Sequence, residues 1–236
     1  MSTIPANLQA VRERIAQAAR ACGRDPGTVE LIAVSKTFPA AAVAAAAAAG
    51  QRAFGENYLQ EALTKQAGLA AAGATAGTAA LEWHFIGPIQ SNKTGAIAAH
   101  FDWVHSVDRL KVAERLAQQR PAGRAALQVC IQVNVSGEAS KSGVAPAELA
   151  GLARAVVTLP GLRLRGLMAI PEPTDDPARQ RAAFARLRAL ADDLRAAGVA
   201  LDHLSMGMSG DLEAAIAEGA TMVRVGTAIF GARPPA

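Results

Sequence analysis

The sequence predicts an α/β protein that folds as a single (β/α)8 TIM barrel with an extra N-terminal helix. Eight short apolar segments alternate strictly with helical segments along the chain. Successive strands begin roughly 20 to 40 residues apart, which is typical of βα units. An open doubly wound sheet is the alternative, but no GxGxxG motif follows any strand and the order shows no reversal point. We therefore expect residues 1–236 to form one domain.

The elements follow from local patterns. The first is an amphipathic helix over 4–22, whose apolar stripe includes Leu8, Val11 and Ile15 and which ends before Pro26. The strands are short runs of apolar and β-branched residues, predicted at 30–36, 52–56, 82–87, 101–107, 127–135, 162–170, 201–206 and 222–226. Helical patterns follow them at 39–50, 59–67, 91–99, 108–119, 146–159, 177–197, 211–218 and 227–230.

Charge and composition argue against nucleic-acid and membrane partners. The net charge of +4 comes from basic residues that alternate with acids along amphipathic helices, without a basic cluster. No uncharged run is apolar enough to span a bilayer, and the charged N-terminal segment lacks the apolar stretch of a signal peptide. Cys22 and Cys130 are expected to be buried thiols, and no metal-ligand spacing occurs. We therefore expect a cytoplasmic protein without a metal centre.

Lys36 is the first candidate functional residue. It follows an apolar strand and shares a face with Ile32 and Val34, because side chains alternate along a strand. The C-terminal strand ends, where Lys36 is placed, carry the chemistry of such barrels. An ordinary lysine has a pKa of roughly 10.4, and partial desolvation or a cationic neighbour lowers that pKa and favours Schiff-base formation. The alternative is a rim lysine whose amine stays in water.

The segments after strands seven and eight favour an anion site. Residues 205–210 read SMGMSG and residues 224–227 read RVGT, and a helical pattern follows each. Glycines let backbone N–H groups converge, and serine and threonine hydroxyls add further donors. Barrels of this kind often bind phosphate at these two positions. Each segment alone is equally compatible with an ordinary strand-to-helix turn, but both together indicate a phosphate site.

Arg224 and His84 are expected to point into the barrel. On strand eight the alternation places Met222, Arg224 and Gly226 inward, and a buried guanidinium needs a partner. That partner is either an inward acid in a structural ion pair or a bound ligand. His84 shares the inward face of strand three with Glu82 and is expected to line the pocket. A Schiff-base lysine, a phosphate site and an inward arginine together suit pyridoxal 5′-phosphate.

Five segments resemble the YggS/PROSC family of pyridoxal phosphate homeostasis proteins, which share their barrel with the N-terminal domain of bacterial alanine racemase. They are AVSKT (33–37), FGENYLQE (54–61), WHFIGPIQSNK (83–93), NVSGEASKSG (134–143) and SMGMSGDLEAAIAEGATMVRVGTAIFG (205–231). The resemblance implies that Lys36 holds the cofactor as a Schiff base, that Asn57 lies beside it, and that Arg224 faces the pyridine nitrogen. It implies phosphate contacts from Ser205, Ser209, Gly226 and Thr227. Because an arginine does not give up a proton, the ring nitrogen would stay unprotonated and be a poorer electron sink.

The same resemblance implies a protein that binds and buffers pyridoxal phosphate and delivers it to apo-enzymes, without catalytic turnover. The alternative is an amino-acid racemase, which needs an acid/base on each face of the substrate. In racemases of this fold a tyrosine from a second domain serves one face. The chain ends soon after the eighth unit and its only tyrosine is Tyr58, so we expect no such domain. A cofactor-free aldolase that uses Lys36 is a third candidate.

Two further expectations complete the prediction. We expect a monomer. The sequence leaves open whether Lys93 and Lys141, both in loops at the C-terminal strand ends, form a second covalent link to the cofactor.

Overall fold

Eight parallel strands close into a barrel in chain order, as β1 pairs with both β2 and β8. The strands are β1 (Glu30–Val34), β2 (Ala53–Glu56), β3 (Glu82–Phe85), β4 (Trp103–Val107), β5 (Leu127–Gln132), β6 (Leu162–Met168), β7 (His203–Ser205) and β8 (Met222–Val225). This computed structural model describes residues 3–73, 80–137 and 142–232. The predicted (β/α)8 barrel is confirmed.

Helices connect the strands and cover the outside of the barrel. They are α1 (Ile4–Ala21), α2 (Ala40–Ala48), α3 (Leu59–Ala71), α4 (Thr94–His100), α5 (Leu110–Gln118), α6 (Pro146–Val157), α7 (Pro177–Ala196), α8 (Leu212–Ala217) and α9 (Thr227–Phe230). The extra helix α1 packs against α2, α8 and α9, so it lies on the flank of the barrel. The helix predicted from residue 91 begins at Thr94, because Ser91–Lys93 forms a 3-10 turn first.

The barrel has an inner and an outer apolar layer. The inner cluster is small and contains Ile32, Ala53, Trp103, Cys130, Met168 and Met222. Leu31 and Ala33 of β1 and Val223 and Val225 of β8 belong to the larger cluster between strands and helices. The predicted alternation of these two strands is therefore confirmed. It is a direct result of the two-residue period of side chains along a strand.

The two cysteines differ in environment. Cys130 is buried in the inner cluster, and its burial raises the pKa of the thiol to about 12. Cys22 is exposed, so the prediction that it is buried is wrong. The reason is that α1 ends at Ala21 and its buried stripe stops at Ala19, which leaves Cys22 as the cap residue beyond the packed surface.

None of the helices in the described part of the chain combines the length and the apolar character needed to cross a bilayer.

Candidate functional site

A cleft of about 250 Å³ opens where the carboxyl ends of the strands converge. It collects six of the eight residues predicted from sequence, namely Lys36, Asn57, Ser209, Arg224, Gly226 and Thr227. Its remaining walls are largely apolar and include Val34, Ile86, Ile170 and Met208. An apolar cleft with a few convergent polar groups is the usual form of a small-molecule site.

Lys36 lies in the turn that follows β1, and this turn is held on both sides. The next residue, Thr37, has φ +68°, a left-handed conformation that is unusual for a β-branched residue. Its N–H donates to Glu61 Oε1 at 2.6 Å. On the other side, Lys65 Nζ donates to the carbonyl oxygen of Ser35 at 2.6 Å. The half-buried Lys36 is therefore presented from a backbone that its neighbours restrain.

The restraint depends on a buried ion pair that sequence reasoning missed. Lys65 Nζ lies 2.7 Å from Glu56 Oε1, which also accepts a hydrogen bond from Ser35 Oγ at 2.6 Å. Burial raises the pKa of Glu56, although its hydrogen bonds with Lys65 and Ser35 oppose that shift. The sequence carried one signal for the pair. Lys65 falls on the apolar stripe of α3, between the buried Ala62 and Leu69, where a lysine needs a partner.

Asn57 brings an unsatisfied acceptor to the cleft. Its Oδ1 is buried and has no hydrogen-bond partner among the residues that the structure describes. Such atoms are rare in folded proteins, and a ligand donor would satisfy this one. The backbone here is close-packed as well. A Cβ on Gly87 would lie 2.3 Å from the Asn57 carbonyl oxygen, so glycine is required beside it.

Arg224 points into the barrel as predicted and is only 4% exposed. Its Nη1 donates to Ser205 Oγ at 2.7 Å and its Nη2 donates to the Ala169 carbonyl oxygen at 3.0 Å. Within residues 3–73, 80–137 and 142–232 it forms no ion pair with a carboxylate. The alternative that Arg224 is held by an inward acid is therefore not observed among these residues. Burial lowers the pKa of Arg224 to about 10, which leaves it charged at neutral pH.

Ser205 and His84 lie beneath the cleft and are not among its lining residues. Ser205 Oγ is 2.7 Å from His105 Nδ1, and His105 Nε2 is 2.9 Å from His84 Nδ1. His84 Nε2 is in turn 2.8 Å from Glu82 Oε1. We call these four residues and Arg224 the buried network. Direct contact of Ser205 or His84 with a cofactor remains a prediction. The structure shows instead that Ser205 contacts Arg224 and that His84 contacts His105.

His105 was not identified from the sequence. Its only local signal is its position on β4, two residues after Trp103, which places both side chains on the inward face. Its partners are 21 residues away at His84 and 100 residues away at Ser205. Local patterns do not encode such distant pairs.

The two loops predicted to bind phosphate meet in the same cleft. Ser209 is held by Arg14, whose Nη1 donates to the Ser209 carbonyl oxygen at 2.8 Å. Gly226 immediately precedes α9, and a Cβ at that position would lie 3.1 Å from the Val34 carbonyl oxygen. The exposed Thr227 begins α9. Both loops therefore bring a glycine and a hydroxyl-bearing residue to the same cleft.

Comparison with known proteins identifies the family. The family described as "Alanine racemase, N-terminal domain" matches residues 6–234. The pyridoxal phosphate homeostasis protein of Pseudomonas aeruginosa is 68% identical over 233 residues, which cover 99% of this chain and 97% of that protein. The chain belongs to the pyridoxal phosphate homeostasis protein family. A solved structure of PipY from Synechococcus elongatus PCC7942, with PLP bound, is 43% identical with a TM-score of 0.77, and the match covers 92% of this chain and 100% of that chain.

The racemase alternative has only distant support. Alanine racemase of Corynebacterium glutamicum matches with a TM-score of 0.63 at 22% identity, covering 97% of this chain and 62% of that chain. That likeness shows the barrel fold alone. Tyr58, the only tyrosine of the sequence, follows β2 of this barrel and is 56% exposed beside the cleft residue Asn57.

The structure does not decide the role of the two lysines that the sequence left open. Lys93 is exposed in the 3-10 turn before α4 and does not line the cleft. Lys141 lies outside the described residues.

His105 should make the stability of this homeostasis-family barrel depend on pH. Burial, followed by the charges of His84, Arg224 and His203, lowers the pKa of His105 well below 6.5. The unfolded chain therefore binds a proton below about pH 6.5 that the folded chain excludes, and stability is lost as the pH falls. Relative to His105→Gln, the wild-type free energy of unfolding should fall by about 1.4 kcal/mol per pH unit below about pH 6.5.

Urea unfolding at several pH values between 8 and 5 measures this difference. His100→Gln is the matched control, because His100 is exposed at the end of α4, and its profile should parallel that of the wild type. Parallel profiles for the wild type and His105→Gln would show that His105 titrates normally in the fold.

Proposed function

We propose that this protein binds pyridoxal 5′-phosphate in the cleft, with the cofactor aldehyde attached to Lys36. The observation that carries the proposal is that one cleft gathers a lysine, a buried guanidinium, an unsatisfied amide oxygen and two glycine- and hydroxyl-containing loops. These groups fit the functional parts of that cofactor. When bound, the cofactor would supply an electron-withdrawing ring and an aldehyde that amines attack.

Each residue has a role in this proposal. Lys36 anchors the aldehyde, and the charged Arg224 lies on the side of the ring nitrogen. The N–H groups and hydroxyls of Ser209, Gly226 and Thr227 bind the phosphate. Asn57 lies beside the ring, and apolar walls such as Ile86 and Met208 pack against it.

We propose further that the protein buffers and delivers the cofactor in the cytoplasm, as one monomeric domain, and does not turn over a substrate. The Pseudomonas aeruginosa relative, 68% identical to this chain, is named a homeostasis protein, which supports this choice. An arginine at the ring nitrogen also disfavours a long-lived carbanion, because it holds the nitrogen unprotonated. A cofactor-dependent racemase or transaminase rate that disappears in Lys36→Ala would contradict the carrier proposal.

The visible spectrum tests cofactor binding. The wild type should be yellow after incubation with pyridoxal phosphate, and borohydride reduction followed by peptide mass mapping should locate the pyridoxyl group on Lys36. Lys36→Ala should lose this label, whereas Lys93→Ala, which removes an exposed lysine outside the cleft, should keep it. A wild type that stays colourless would reject the cofactor proposal and favour the aldolase alternative.

A further inference from the structure

The buried network connects the proposed cofactor site to the opposite end of the barrel. Ser205, His84 and His105 are fully buried and Arg224 nearly so, whereas the Glu82 side chain is 42% exposed at the start of β3. Five side chains from four strands therefore form one line of hydrogen bonds of 2.7 to 2.9 Å through the barrel interior. Only its last member meets solvent substantially.

One arrangement of protons gives each hydrogen bond of this network a donor and an acceptor. A guanidinium only donates, so Ser205 Oγ accepts from Arg224 and its own hydrogen is available for His105 Nδ1. His105 then carries its proton on Nε2 and donates to His84 Nδ1. His84 likewise carries its proton on Nε2 and donates to the Glu82 carboxylate. Every link then has one donor and one acceptor, with both imidazoles neutral.

The network joins a buried cation, Arg224, at one end to a carboxylate, Glu82, at the other. Arg224 is a buried cation that forms no ion pair in the described part of the chain, and burying an unpaired charge is costly. The network ends on Glu82, whose pKa is lowered chiefly by its hydrogen bond with His84. Aligned hydrogen bonds polarise one another in a medium of low dielectric constant. The network therefore links the guanidinium to the Glu82 carboxylate by hydrogen bonds, and the negative charge of Asp211 also favours the charged guanidinium.

We propose that Glu82, His84 and His105 are positioning residues that act through Ser205 to hold Arg224 in one orientation at the nitrogen of the cofactor ring. This inference rests on the proposed function for its last step, the effect on the ring. The network itself is independent of any ligand. Other titratable groups face it, and they are Glu30, Cys130, Arg165, His203 and Asp211.

Nitrogen NMR of the cofactor-free protein with 15N-labelled histidine tests the network directly. Neutral imidazoles with the proton on Nδ1 or on Nε2 give different 15N patterns. At pH 7 we expect His84 and His105 to be neutral with the proton on Nε2, and His100→Gln and His203→Gln assign the remaining signals. A proton on Nδ1 of His105 in the wild type would overturn the proposal, because Ser205 would then accept from both sides.

Glu82→Gln and Glu30→Gln form a matched pair. Both remove one negative charge at the same end of the barrel. A carboxylate oxygen of Glu30, a carboxylate oxygen of Glu82 and a ring nitrogen of His84 lie within 4.8 Å of one another. Only Glu82 is hydrogen-bonded in the network. Because an amide either donates or accepts, Glu82→Gln should give His105 a mixture of both tautomers, whereas Glu30→Gln should not. An unchanged His105 signal in Glu82→Gln would contradict the coupling.

The absorbance of the protein with bound cofactor, measured against pH, is the second test. The pH at which the bound cofactor changes absorbance should shift by about 1 unit in Glu82→Gln and much less in Glu30→Gln. A shift of about 1 unit is a roughly tenfold change in the proton dissociation constant. If the predicted tautomers are found but no cofactor binds, the network stands and the proposed function fails. If the cofactor binds and both variants titrate like the wild type, the proposed function stands and the effect on the ring is rejected.

Discussion

Replacement of Gly166 by alanine is expected to prevent the barrel from closing. A Cβ at this position would lie 1.9 Å from the carbonyl oxygen of His203 and 2.7 Å from its carbonyl carbon. These are backbone atoms of β7, paired with β6 in register at this point, so no side chain can move aside. The strands must separate where the barrel is continuous. We expect a loss of more than about 4 kcal/mol, which is comparable to the whole stability of many domains.

The soluble yield, the circular dichroism spectrum and urea unfolding measure this effect. Gly151→Ala is the control, because Gly151 lies within α6 and a Cβ there meets nothing within 4 Å. That substitution should stabilise the protein by up to about 1 kcal/mol, since alanine is the better helix former. If Gly166→Ala unfolds at the wild-type urea concentration, the close approach of β6 and β7 is not a real constraint.

Lys65→Met is expected to cost about 3–5 kcal/mol of stability and to weaken the proposed attachment of pyridoxal phosphate. The substitution leaves Glu56 buried with one oxygen, Oε2, already unpartnered among the described residues and the other deprived of its cation. It also removes the donor to the Ser35 carbonyl oxygen, next to Lys36. The deficit should shrink as the pH falls, because protonation of Glu56 removes the unpaired charge.

Two further variants separate charge from packing. The double variant Glu56→Leu with Lys65→Met should recover much of the loss, since an apolar pair can replace a buried ion pair. Glu61→Gln removes the more exposed partner of the same lysine and should cost about 1 kcal/mol or less. Urea unfolding gives the stabilities, and cofactor titration in the visible range gives the binding. If Lys65→Met is as stable as the wild type, Glu56 is neutral or hydrated in the fold.

The composition of the cleft was largely predictable because it follows from two simple regularities. Alternation along a strand is local, and it correctly placed Ile32 and Arg224 on the inward face. Closure of eight βα units in chain order then brings every strand end to one rim. Residues that follow different strands, such as Lys36 and Ser209, therefore meet without any pairwise signal in the sequence.

What only the tertiary structure decided is how deep each inward residue lies and what it contacts. His84 and Arg224 were both predicted to point inward, yet only Arg224 reaches the cleft. Depth depends on the stagger of neighbouring strands, which hydrogen-bond register sets and no single strand contains. The same holds for Lys65, whose partner Glu56 is on the preceding strand, and for His105. The sequence by itself determined the barrel, its inward faces and the residues at its rim, because these depend on local periodicity, whereas the buried polar partnerships depend on distances between segments far apart in the chain.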